Sequence, residues 1–206
     1  MLDFTLKTKY TDFSLEEFKS HVQNCQRCLL YKTRQHVVFG SGAITSDLMI
    51  VGEAPGELED IHGKPFIGRS GNLLTKLLES VDINRDKDVF IANAVKCRPP
   101  KNRTPTAKEI ATCSSYLVQQ VQLVKPKVLV LLGAPSMTLV LGKKHKITKV
   151  RGQWFMLNVN YMKQPLHVMP MFHPAYLLRN PSEREGGPKW LTYQDLKKVK
   201  QLLTTI

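Results

Sequence analysis

The run Leu48-Met49-Ile50-Val51, closed by Gly52-Glu53-Ala54-Pro55-Gly56, restricts what this chain can fold into more than any other stretch. Four apolar residues in a row are too few for a helix. They suit a strand buried on both faces, the kind found in parallel sheets covered by helices. Two glycines and a proline then impose a tight turn where a ligand can approach the backbone. In an open α/β sheet, ligands bind just outside the carboxyl ends of the strands, and Glu53 stands at such an end. Glu57, Glu59 and Asp60 follow at once. Taken alone, the stretch reads as a strand-to-loop turn with solvated acids. What points to a site is that two later buried strands also end in polar residues.

The first of these, Val89–Val95, carries Asn93 inside an apolar run. A buried amide needs partners for its donors and its acceptor, so Asn93 either holds a loop or binds a ligand. Another strand spans Val128–Leu132 and is closed by Gly133. A last one runs through His167–Phe172 to His173-Pro174, although Pro170 argues against it. Between them lie helical signals. Ser14-Leu15-Glu16-Glu17 is a capping box, with Leu15, Phe18 and Val22 on one face. Leu73-Leu74 through Leu77-Leu78 marks a second helix, and Thr106–Glu109 caps a long third one to about Val124. A basic amphipathic helix begins at Thr192, Trp154–Val159 suggests a hairpin, and 32–47 reads as loop. Strands alternating with helices imply an α/β fold with a mainly parallel sheet. The length suits a single domain over 1–206, with residues 1–13 a less certain extension.

Thirty Lys and Arg against seventeen Asp and Glu leave a net charge of +13, which favours a polyanionic partner, nucleic acid or an anionic membrane. No apolar run reaches membrane-spanning length, and the first residues lack a signal pattern, so a cytoplasmic protein without a membrane partner is expected. The four cysteines, Cys25, Cys28, Cys97 and Cys113, are too few for a secreted disulfide scaffold. Cys25-x-x-Cys28 is a chelating pair. Four thiolates suit tetrahedral zinc or an iron–sulfur cluster, and the spacing does not choose between these or exclude unrelated buried thiols.

A series of motifs carries a family resemblance. Gly52-Glu53-Ala54-Pro55-Gly56, Gly63-Lys64-Pro65-Phe66-Ile67-Gly68, Asn93-Ala94-Val95-Lys96-Cys97-Arg98-Pro99-Pro100, Val150-Arg151-Gly152 and His173-Pro174-Ala175-Tyr176-Leu177-Leu178-Arg179-Asn180-Pro181 resemble, in order, those of the bacterial and archaeal family 4 uracil-DNA glycosylases. The likeness runs from about Asn24 to the C-terminus. It implies a three-layer α/β/α fold around a four-stranded, mainly parallel sheet. It also implies a 4Fe–4S cluster on the four cysteines, and removal of uracil from single- or double-stranded DNA by a monomer. Gly52, Glu53 and Ala54 then line the base pocket and Phe66 stacks on the base. Asn93 reads the uracil edge, and His173 donates to O2 as charge develops on the departing base. Ala54 stands where relatives in other families carry a water-orienting Asp. Glu53, held by Asn102, is the expected replacement, with Glu59 behind it. Leu177 or Leu178 resembles the wedge that fills the place of the flipped base; either also suits core packing. The basic runs at Lys143, Lys144, Lys146, Lys149 and Arg151, and at Arg98, Lys101 and Arg103, are expected in part to meet phosphates. A non-catalytic DNA-binding module and an iron–sulfur electron carrier are the competing readings.

Overall fold

A computed structural model describes residues 1–206. The elements in order are α1 (Leu15–Gln23), β1 (Ser41–Gly42), β2 (Leu48–Gly52), α2 (Glu57–His62), α3 (Arg69–Glu79), β3 (Val89–Asn93), α4 (Ala107–Val124), β4 (Val128–Leu132), α5 (Ala134–Leu141), α6 (Ile147–Val150), β5 (Phe155–Leu157), β6 (Leu166–Met171), α7 (Pro174–Arg179) and α8 (Pro188–Leu203). One sheet holds all six strands in the order β1-β3-β2-β4-β6-β5. The four central strands are mutually parallel, as expected; β1 and β5 add short antiparallel edges. Two-residue β1 carries no alternation that a sequence could announce. The apolar segment at Trp154–Val159 does not fold on itself: Phe155–Leu157 pairs instead with Leu166–Val168 of β6. Pro170 lies beyond that pairing, where its missing N–H costs no ladder bond, and its carbonyl accepts from Gly152 N–H at 2.9 Å.

Pleating divides the strands between two cores. Met49, Val51, Phe90, Ala92, Leu129 and Leu131 face α1, α4 and α5, whereas Leu48, Ile50, Val89, Ile91, Val128 and Val130 face α3 and α8. The chain runs from β2 outward to β3 and then back across to β4. Right-handed crossovers therefore place α3 and α4 on opposite faces and leave a crevice at the carboxyl ends, where the strand order reverses. The N-terminal thirteen residues are part of the first core. Phe4 and Tyr10 are buried against it, and Gln122 of α4 donates to the Phe4 and Leu6 carbonyls at 3.0 and 2.8 Å. Helix α8 starts at Pro188, ahead of the expected Thr192, because proline at a first helical position sacrifices no bond. No helix is long and apolar enough to cross a membrane.

Candidate active site and cysteine cavity

The crevice opens into a cavity of about 750 Å³ lined by residues from β2, β3, β4 and β6 ends, including Glu53, Asn93, Gly133 and His173. The acids after β2 sort themselves by partner. Glu57 pairs with Arg98 at 3.2 Å, and Asp60 accepts from the Gln35 and His36 backbone. Glu59 accepts from Gly56 N–H at 3.1 Å, Ile67 N–H at 2.9 Å and Gly68 N–H at 2.8 Å. Glu53 alone has a buried carboxylate oxygen without a partner, and burial raises its pKa. Its turn is held by bonds from Ala94 N–H to Gly52 O and from Val95 N–H to Glu53 O, at 2.9 and 3.0 Å. Asn93, paired with Gly52 across the sheet, likewise keeps its amide oxygen buried and unpartnered. Buried polar atoms almost always find partners, so two orphans on one cavity wall mark where a ligand's donors go. A Cβ on Gly52 would stand 2.4 Å from Asn93 Oδ1 and 2.5 Å from Phe66 Cζ; only glycine lets these groups meet.

Phe66 is buried in a left-handed backbone conformation, φ 51°, that an aromatic residue rarely accepts. Its loop is clamped on both sides. Glu59 takes the two N–H groups that follow Phe66, and Arg85 donates to the preceding Pro65 carbonyl at 2.6 Å. The ring faces His173, centroids 5.8 Å apart and planes inclined by 35°. Glu59 is therefore a cross-link between the Gly56 turn and the Phe66 loop. Three N–H donors take three of the roughly four lone-pair sites a carboxylate offers.

His173 caps α7. Its Nδ1 accepts from Ala175 N–H at 3.1 Å, which leaves the ring proton on Nε2. Burial, with the charge of Arg179, pushes the imidazole down to about 4, Glu59 opposing, so the ring is neutral at physiological pH. The unfolded chain takes up that proton near 6.5 and the folded chain near 4. Stability should therefore fall as pH drops from 6.5 towards 4, by up to about 3 kcal/mol. Denaturant titrations of wild type and His173→Phe across this range check it: the variant should show a shallower decline.

Several expected site residues stand elsewhere. Leu177 is fully buried, packed among Ile50, Leu74 and Leu196 beneath α7; it cannot enter DNA without opening the core. Leu178, on the adjacent face, is partly exposed. Asn102 lines the cavity but accepts from Arg98 Nε at 2.8 Å, with no bond to Glu53. Arg151 is an anchor. Its guanidinium grips the buried Asp195 of α8, one bond being 2.8 Å, and a Cβ on Gly152 would stand 2.1 Å from that carboxylate. Arg103 is engaged by Glu109, which completes the capping box of α4 with Thr106. Lys143, Lys144, Lys146 and Lys149 are exposed and without carboxylate partners. Sequence reasoning overlooked Arg85 and the rim residue Arg179. A lone arginine near a helix end carries no pattern, whereas Arg179 stands in the quoted His173–Pro181 motif.

The four cysteines, from α1's end, β3's extension and α4, line one small cavity with Arg34 and Tyr116. No three Cys, His, Asp or Glu side chains close to the spacing that grips a single metal ion. Two sulfurs accept hydrogen bonds, Cys97 from Arg34 at 3.4 Å and Cys113 from Lys96 N–H at 3.3 Å, the pattern that tunes bound thiolates. Burial pushes the Cys97 thiol up to about 12 and the Cys113 thiol up to about 11, so they ionise only for a strong electrophile.

The family model of the uracil DNA glycosylase superfamily matches residues 39–197, the span that builds the sheet and the crevice. A type-4 uracil-DNA glycosylase of Thermotoga maritima is 43% identical over 94% of this chain and 97% of its own length. One from Sulfurisphaera tokodaii is 41% identical over 93% of this chain and 86% of its own. A type-5 uracil-DNA glycosylase of Pyrobaculum aerophilum shares 36% identity over only 45% of the chain. The chain belongs to the type-4 uracil-DNA glycosylase family.

Proposed function

We propose that this protein hydrolyses the N-glycosidic bond of uracil in DNA, releasing uracil and leaving an abasic site. The observation that carries the reading is the pair of unpartnered buried oxygens, Asn93 Oδ1 and Glu53 Oε1, facing one cavity with the Nε2–H of His173. A uracil flipped out of the stack and laid on Phe66 offers N3–H to Asn93 Oδ1 and O4 to the Asn93 amide N–H. Cytosine reverses that polarity and leaves donor against donor. As the C1′–N1 bond breaks, its electron pair leaves with N1 and negative charge spreads to O2, where His173 donates. The carboxylate of Glu53 orients a water for C1′ and receives its proton. Its raised pKa makes that task sensitive to acid: activity should be lost as pH falls, sooner than for an ordinary carboxylate. Leu178 suits the wedge, and Lys143, Lys144, Lys146 and Lys149 suit the phosphates.

Cys25, Cys28, Cys97 and Cys113 are read as the ligands of a 4Fe–4S cluster. Thiolates around a cluster stand further apart than those around zinc, which suits four cysteines that share a cavity without closing on one point. Bound there, the cluster would supply no step of the hydrolysis; through these four cysteines it would cross-link α1, β3 and α4. Base release from U·G, U·A and single-stranded oligonucleotides, using iron-loaded protein, tests the function. Free uracil and an intact but alkali-labile strand are expected. DNA binding without uracil release on every substrate would favour the binding module, and reversible reduction without DNA affinity the electron carrier.

A further inference from the structure

Between the cysteine cavity and the base pocket lies Lys96, 1% exposed, with no carboxylate partner anywhere in the chain. Its ammonium donates to the Asn93 main-chain carbonyl at 2.5 Å and to Gln120 Oε1. Both acceptors are neutral. Gln120 is itself fully buried, and its amide N–H is spent on the Phe39 carbonyl at 2.7 Å, which turns its oxygen to the lysine. The backbone on either side is fixed as well, by Lys96 N–H to Cys113 Sγ at 3.3 Å and Val38 N–H to Lys96 O at 2.8 Å.

An ammonium taken wholly out of water and given only neutral acceptors is costly, and proteins keep such a group when an anion is close by. The groups beside it are Cys97, its neighbour in the chain, and Cys113, whose Sγ accepts the Lys96 N–H; all three line the same cavity. As thiols they are neutral and leave the lysine uncompensated. As ligands they are thiolates, and four thiolates on a cluster leave a net negative charge beside it. We propose that Lys96 is the buried counter-cation of the cysteine-bound cluster, and that its bond to the Asn93 carbonyl ties the cluster to the base-reading end of β3. The inference rests on the cluster reading given above. It assigns Lys96 a positioning role, since its ammonium is bonded to the Asn93 main chain and not to the reacting base.

Three proteins decide it, each purified with its iron: wild type, Lys96→Met and Gln120→Glu. Lys96→Met removes the charge while keeping the stem's volume. Gln120→Glu is isosteric, gives up the bond to the Phe39 carbonyl, but leaves Lys96 in place and hands it a carboxylate, so it reports even where the first variant does not accumulate. The visible charge-transfer absorbance should bleach under an iron chelator roughly 10–100-fold faster in Lys96→Met than in wild type. The cluster's reduction potential, read by protein-film voltammetry, should move negative in both variants, because less positive charge faces the added electron. Inhibition by free uracil should weaken in Lys96→Met as Asn93 loses its anchor. Unchanged bleaching and potential in folded variants would overturn the counter-cation. A lowered potential with unchanged uracil inhibition would overturn the tie to Asn93. Wild-type protein that binds no iron and sulfide would instead remove the cluster reading itself, whatever the variants do.

Discussion

Replacing His173 with Ala should depress the single-turnover rate of uracil release by a factor on the order of 10²–10³ and leave DNA affinity unchanged. The reason is where its proton sits. Ala175 N–H occupies Nδ1, so Nε2–H points away from the α7 backbone, and in the proposed reaction it serves O2 as that atom gains charge. The ring is neutral because burial holds its pKa down to about 4, so the variant loses a hydrogen bond and no ionic contact with phosphate. A neutral donor also suits a departing anion, since an imidazolium here would cost desolvation before any charge develops. Single-turnover kinetics with fluorescence-anisotropy binding separate the two effects. Equal losses in rate and in affinity would make the His173 loop a DNA-docking element and end the catalytic assignment.

A loss of similar size is expected for Asn93→Ala, on the order of 10²–10³, because two hydrogen bonds to the base disappear together, about 3–4 kcal/mol. It should reach binding as well as rate, since the uracil edge is read before the bond breaks. Asn93→Asp is the more telling change. Its carboxyl, sharing the cavity wall with Glu53, can accept from an amino group but cannot offer O4 an amide N–H. Uracil excision should collapse and some action on cytosine should emerge, measured on matched U·G and C·G oligonucleotides. Wild-type rates in Asn93→Ala would reduce the residue to a structural amide.

The strand ends were readable because their signals are local. An apolar run that stops at Gly52-Glu53, an amide inside Val89–Val95, and a histidine after a core strand each announce themselves within a few residues. The parts that stayed hidden depend on distance along the chain. Arg151 and Asp195 meet across 44 positions, so a motif arginine passed for a phosphate contact when it is a buried anchor. Leu177 and Leu178 differ only in which side of a six-residue helix faces the core, and the adjacent leucines give no phase. Glu59 was one of four neighbouring acids until the structure supplied three backbone N–H groups for it. The thirteen N-terminal residues lack periodicity, yet Phe4 and Tyr10 are core. Small apolar anchors in irregular segments carry no pattern to find.

Glu59's bonds have a consequence for how a base is selected. The Gly56 turn and the Phe66 loop hang from one carboxylate, and Arg85 braces the loop from behind. Moving either wall alone would break bonds to that carboxylate, so the two are tied into one unit. Its shape is present before DNA arrives. The nucleic acid must then make the whole excursion, and the ease with which a base pair opens becomes part of the enzyme's selectivity. Weakly held U·G pairs and unpaired strands should be served ahead of U·A, through differences in the substrate's own mechanics rather than in any contact the protein makes.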